Sequence, residues 1–286
     1  MQNKSVLLES STTKAEILLD WGYNRSRYDW GGTVGQVTVN GHTFLSRELN
    51  SAGGVGLGGV GLTNVLEWRD TALYDNTSPA DYFPLLGVGL LKKTDNAPFQ
   101  FTREYAVEPF DRQIQTDEHS VTIRTMPYLC SGVAVDMKKT YSLEGNTLTV
   151  AFEVKNVGST PVHATEFCHN FFKFDDKAID SSYCLSFPYT IETKVRRGQV
   201  ITERDRYRLG AFDGPTESTA FWVNGWQGLN SHWMKLEHEE LGMSVLMEDE
   251  FPVCYFYSWN NANAFCPETF APIDLEPEES ICYVRK

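Results

Sequence analysis

The 286-residue sequence has no run of about 18 apolar residues, so no segment reads as a membrane-spanning helix. Its opening, MQNKSVLLESSTTKAEILLD, lacks an apolar stretch of signal-peptide length, which sets the expectation of a cytoplasmic protein. CxxC pairs are missing too. The six cysteines, Cys130, Cys168, Cys184, Cys254, Cys266 and Cys282, are scattered and expected to be free thiols in a reducing compartment. There is no HExxH among the six histidines and no Cys/His set at zinc-like spacing, so no metal is expected. The glycine-rich AGGVGLGGVGLTN (52–64) lacks the GxxxxGK[ST] order and any βαβ surroundings, and no nucleotide or other cofactor is expected. Its glycines are expected to serve tight turns or a close backbone approach at a cleft. Basic residues are in deficit: 25 Lys and Arg against 38 Asp and Glu leave a formal charge of −13. That balance excludes a nucleic-acid backbone or an anionic membrane as the main partner. Long low-complexity linkers are also lacking, so residues 1–286 read as a single domain.

What the sequence has is alternation at period two. In LTVAFEV, Leu148, Val150, Phe152 and Val154 share one side, with Thr149, Ala151 and Glu153 on the other. A turn-like NVGSTP and then VHATEFCHNFF suggest a hairpin of long strands. SVTIRT, SGVAVDMKKTYSL and LGMSVLMED repeat the pattern, and the more continuously apolar FPVCYFYSW fits a strand covered on both faces. Amphipathic helices are scarce, with SHWMKLEHEEL (231–241) a candidate for a short one. Strands that bury one side need a second layer, so the expected fold is all-β, two large antiparallel sheets packed face to face.

Two residues stand out as proton carriers. His169 lies in TEFCHNFFKF beside Asn170 and among aromatics, and an imidazole can act as acid or base near neutral pH. A histidine satisfied by a backbone carbonyl at a strand end is the alternative, and the local pattern leaves both open. Glu268, in NAFCPETF, sits among apolar residues, unlike the solvated acidic clusters EHEEL, EDE and EPEES. A carboxylate held there has a raised pKa suited to a base; a surface loop position is the alternative. His163 and His169 share strand parity but would stand about 20 Å apart, too far to share an ion. Tyr28, Trp30, Trp68, Tyr82, Trp226 and Trp259, next to Gly, Asn or Asp, offer flat surfaces for the C–H faces of a sugar.

In order and spacing, a histidine strand near the middle and a glutamate near the end resemble the galactose mutarotase-like (aldose 1-epimerase) superfamily. TEFCHNFFKF is similar to its histidine strand, and LGMSVLMEDEFPVCYFYSWNNANAFCPETF to its terminal block. GGTVGQVTVNGHTFLSRE (31–48) is similar to its opening hairpin, and DYFPLLGVGLL (81–91) occupies the region of a substrate-binding arginine and second histidine. The resemblance runs over nearly the whole chain and implies a β-supersandwich. It implies no cofactor, and an enzyme that interconverts the α and β anomers of a free or modified sugar. Glu268 would take the proton from the anomeric hydroxyl, and His169, as imidazolium, would protonate the ring oxygen. Asn170, Glu166, Trp226 and Tyr82 are expected to contact hydroxyls or stack. No histidine lies between positions 43 and 118, and no clear NR-type arginine follows the first third. Arg47, Arg69 and Lys93 (or Lys92) are the cations expected to contribute, so sugar recognition has changed and the sugar could be anionic. Another sugar-directed isomerase or lyase on the same sandwich, or a non-catalytic carbohydrate-binding protein, stays open, as does a monomer or a homodimer.

Overall fold

Strands with one apolar face must cover each other, and two ten-stranded antiparallel sheets do so here. The computed structural model describes residues 4–20, 25–49, 55–212, 214 and 217–286. The first sheet runs Ser5–Glu9, Thr13–Leu18, Thr33–Val39, Leu62–Trp68, Val162–Asn170, Ala264–Leu275, Tyr255–Asn261, Thr219–Asn224 and Glu192–Arg197, with His42–Thr43 paired to Thr33–Val39. The second runs Arg112–Thr116, Ser120–Thr125, Val135–Glu144, Thr147–Asn156, Ser280–Arg285, Met243–Glu250, His232–His238, Tyr183–Ser186, Arg206–Leu209 and Val200–Glu203. A three-stranded sheet (Val107–Pro109, Gly89–Lys92, Tyr82–Leu85) and the pair Arg47–Leu49 with Val55–Val60 complete it. Among the described residues the helical content is a turn at Ala72–Asp75 and a 3-10 turn at Phe174–Asp176. The fold is all-β, as expected.

Between the sheets lies one core to which Val34, Tyr141, Phe152, Ala164, Phe221, Leu236, Ile273 and Tyr283 contribute. A smaller apolar cluster of Tyr28, Val65, Phe167, Phe171, Ala264, Cys266 and Phe270 covers the opposite face of the central strands. The six cysteines are all unpaired.

Three expectations need correction. Residues 231–241 are not helical: His232, Met234, Leu236 and His238 are buried in turn along the strand His232–His238, because flanking strands on both sides select the period of two. Residues 148–154 and 162–170 do not form a hairpin either. Thr147–Asn156 instead turns back through Gly145 and Asn146 onto Val135–Glu144, in the other sheet. At Asn156 the chain crosses between sheets, its side-chain amide donating to the carbonyls of Thr160 (2.9 Å) and Leu275 (3.1 Å). Finally, Tyr255–Asn261 is covered on one face only: Phe256, Ser258 and Asn260 are buried, whereas Tyr255 is 40% exposed and Tyr257 and Trp259 are half-buried.

In the glycine-rich run, residues 52–54 lie outside the described residues. Further along, Gly59 (φ 99°) could carry no side chain without striking Phe171 and Tyr28, each within 3 Å of an added Cβ. Gly61 (φ 60°) presses its backbone on the carbonyl of Val34. The run thus provides close backbone approach beside the aromatic cluster.

Candidate active site

The seam between the histidine strand (Val162–Asn170) and the glutamate strand (Ala264–Leu275) builds the site. Their register pairs Phe167 with Phe270 and resumes at a bridge between Phe172 and Phe265, which sets His169 opposite Glu268. Directly opposed residues of an antiparallel pair point to the same face. His169 Nε2 accordingly lies 3.2 Å from Glu268 Oε1, and both side chains are almost fully buried. Glu268 stands inside the strand Ala264–Leu275, so the loop-surface alternative does not apply.

An aromatic cage explains the burial. The imidazole stacks on Phe171 (4.3 Å between centroids, 8° between planes) and meets the edges of Trp259 (5.6 Å) and Tyr28 (6.1 Å). Burial drives both members toward their neutral forms. It pushes the His169 pKa well below the usual imidazole value, with the positive charge of Arg27 acting in the same direction. It pushes Glu268 well above the usual carboxylate range, with Arg27 opposing and Glu67 reinforcing. A neutral acid beside a neutral imidazole holds as many protons as a carboxylate beside an imidazolium.

Arg27 is the cation of this site, and sequence reasoning missed it. Its guanidinium lies over the rings of Tyr28 (4.7 Å) and Phe101 (4.6 Å) and 3.6 Å from the carboxylate of Glu48. It belongs to an irregular segment between strands, where no periodicity marks a residue as inward-facing. The only available signal was an arginine directly before an aromatic. Glu48, Glu67, Phe101 and Tyr257 were missed as well, being unremarkable until the strands are paired.

Three buried polar atoms here have no hydrogen-bond partner among the described residues: His169 Nδ1, Glu268 Oε1 and Arg27 Nε. Leaving such a group unpaired costs about 1–3 kcal/mol, and native structures retain few of them. All three lie at or beside the His169–Glu268 pair.

Other expected site residues lie elsewhere. Glu166 has the opposite strand parity to His169 and faces the inter-sheet core, where Arg285 (2.8 Å) and Asn64 (2.7 Å) occupy its carboxylate. Asn170 also faces away from His169, its amide donating to the Pro267 carbonyl at 2.5 Å. Trp226 donates to Val223 O in the turn after Thr219–Asn224 and packs on the main core. Tyr82 belongs to the three-stranded sheet, beneath Lys92. Lys93 is buried there, donating to Tyr74 O at 2.8 Å, so its charge is not available to a ligand. Arg69 pairs with Asp274 at the far end of the seam, where Asp274 also meets His163. Arg47 is exposed and lines a cleft of about 490 Å³ with Ser46, Lys173 and Asp176, past the end of the histidine strand. Of the flat aromatics, Tyr28 and Trp259 reach the pair. Among the described residues no group of three His, Cys, Asp or Glu could hold a metal ion.

Beneath the pair, on the inner face, a chain of buried charges ties the strands together. Arg285 uses all five N–H donors: two go to Glu166 Oε2, one to Asp249 Oδ1, one to Thr269 Oγ1 and one to Thr269 O. Asn64 passes the network on, donating to Glu166 and accepting from Lys139, which pairs with Asp29.

The sequence matches no protein-family model and no curated protein. Solved structures match the fold over essentially the whole chain. The Slr1438 protein of Synechocystis sp. PCC 6803 has TM-score 0.60 at 16% identity, covering 100% of this chain and 95% of its own. A putative aldose 1-epimerase of Escherichia coli K12 has TM-score 0.56 at 13% identity (98% and 97% covered). A galactose mutarotase related enzyme of Lactobacillus acidophilus has TM-score 0.58 at 12% identity (99% and 96%). The chain therefore has the galactose mutarotase-like β-supersandwich fold.

Proposed function

We propose that the protein interconverts the anomers of a cyclic sugar by acid–base catalysis, with His169 and Glu268 as the catalytic pair. The observation that carries this reading is the 3.2 Å contact between His169 Nε2 and Glu268 Oε1 inside an aromatic cage. Opening a pyranose takes a proton from the anomeric hydroxyl and gives one to the ring oxygen. Both oxygens are bonded to the same carbon, so the base and the acid must be neighbours on one side of the ring. A carboxyl and an imidazole held 3.2 Å apart meet that demand. Once the Glu268 proton has passed to His169, Glu268 as carboxylate takes the hydroxyl proton and His169 as imidazolium donates to the ring oxygen. The C1–C2 bond then rotates in the open aldehyde, and closure on the other face returns both protons. The reaction is redox-neutral.

Half-buried Trp259 offers a ring surface for the sugar, and Arg27 with Glu48 offers hydrogen-bonding groups at the rim. The test is NMR-observed anomer exchange over neutral, phosphorylated and acidic sugars. The expected result is acceleration that His169→Ala and Glu268→Ala each reduce by about 10²-fold or more, the usual worth of a positioned acid or base. Binding of a sugar without acceleration would sink the reading and leave a carbohydrate-binding protein.

A further inference from the structure

On the same sheet face as the acid–base pair, a row of side chains runs from Glu268 to the edge of the sheet. Register pairs Glu268 with Tyr257, Tyr257 with Trp222, and Trp222 with Lys194 on the edge strand Glu192–Arg197. Neighbouring strands are about 4.8 Å apart, so the row extends about 14 Å from Glu268, longer than one sugar ring. Its aromatics are not core residues. Tyr255 is 40% exposed, and Tyr257, Trp259 and, on the neighbouring strand, Trp222 are half-buried, while the intervening side chains of both strands point into the protein.

The rings hold each other in place. Trp222 meets Tyr257 edge-on at 5.5 Å and donates its indole N–H to the Tyr255 hydroxyl. Lys194 Nζ stands 5.8 Å from the Trp222 ring, and Arg196 is close enough for its charge to act on Tyr255. Flat, partly wetted rings rimmed by hydroxyls and cations suit the C–H faces and hydroxyls of a pyranose.

Resting on the catalytic reading above, we infer that the substrate is the reducing end of an oligosaccharide. Its terminal ring sits over His169 and Glu268, and the following sugars lie along Tyr257 and Trp222 toward Lys194. A site built for a free monosaccharide has no use for ring surfaces two strands beyond its base. The cations at the outer end would also accept a uronic acid in the distal position.

The test separates this inference from the catalytic one. Affinities of glucose, maltose and maltotriose, of glucose, cellobiose and cellotriose, and of galacturonate with its dimer and trimer are measured by NMR titration. In at least one series, wild-type affinity is expected to rise about three- to tenfold with the second sugar, the scale of one added aromatic contact. Trp222→Ala should remove that gain, and Trp222→Phe, which keeps a ring face, should restore most of it. Monosaccharide exchange in Trp222→Ala should stay at the wild-type rate, which also shows that the variant is folded. His169→Ala should keep the length dependence while losing exchange. Affinity that does not grow with length in any series, or growth untouched by Trp222→Ala, overturns the inference. Absence of exchange on every sugar overturns the catalytic reading alone.

Discussion

Glu268 sets burial against charge, and the conflict has a measurable sign. Its folded-state pKa is raised well above the ordinary value, chiefly by burial. Above about pH 4.5 the unfolded chain gives up a proton that the folded chain keeps, so stability falls as pH rises through the neutral range. Glu268→Gln removes this slope. It is expected to raise the denaturation midpoint at pH 8 and to gain little at pH 5, measured by urea titration at both values. An equal gain at the two values would mean that the carboxyl is not held protonated. His232 shows the opposite sign. Buried among Phe187, Tyr189 and Phe256 with both ring nitrogens unbonded, its pKa is pushed down to about 4 by burial, against the pull of Asp249, with Arg285 adding to the depression. Below about pH 6.5 the unfolded imidazole takes up a proton that the folded one refuses. Stability is lost as pH falls to about 4, by up to about 3 kcal/mol at 1.36 kcal/mol per pH unit. His232→Phe should lessen that acid loss between pH 7 and pH 4.5; an unchanged acid slope would exclude it as the source.

At the scale of the strand, the site depends on two faces of the same seam. His169 and Glu268 occupy the outer face, while Glu166 and Thr269 on the inner face are held by the five-donor fork of Arg285. Removing Arg285 leaves the carboxylates of Glu166 and Asp249 buried without their cation, which costs about 3–5 kcal/mol. Arg285→Met is expected to lose stability on that scale in a thermal or urea melt, and adding Glu166→Gln should return part of it. Arg285→Lys keeps the charge but cannot reproduce the fork. On the proposed acid–base reading, misplacing the pair by about 1 Å costs about 10²-fold, so the lysine variant should lower kcat more than it changes KM. The inner face was hard to read in the sequence. Period two located the strands, and the parity of 166 and 169 followed from it, but nothing local said which face carried the chemistry. SHWMKLEHEEL misled because Glu, Lys, Leu and Met favour helix, and only two neighbouring strands override them. Arg27 was hidden for a different reason, since an irregular segment has no period to betray its inward residues.

Taken whole, the molecule is two large sheets with an acidic surface, and much of this was legible. The alternation in LTVAFEV and SVTIRT required two layers, and the composition supplied the core to fill them. The pairing was not legible: register between strands a hundred residues apart is fixed by packing, which no local window reports. One main core spans both sheets. Unfolding is therefore expected as a single cooperative transition, with far-UV and near-UV circular dichroism changing together. Two separated transitions would divide the chain into independent units.

The seam also sets when the site can exist during synthesis. The strands Leu62–Trp68, Val162–Asn170 and Ala264–Leu275 stand side by side, yet each is separated from the next by about a hundred positions. Contacts of such long range form slowly, in milliseconds to seconds for sheet proteins. A growing chain holds His169 without its partner until Glu268 has left the ribosome, and the aromatics of the histidine strand meanwhile lack the neighbour that covers them. Through that interval the nascent chain carries uncovered apolar strand surface, the state in which sheet proteins are most prone to aggregate.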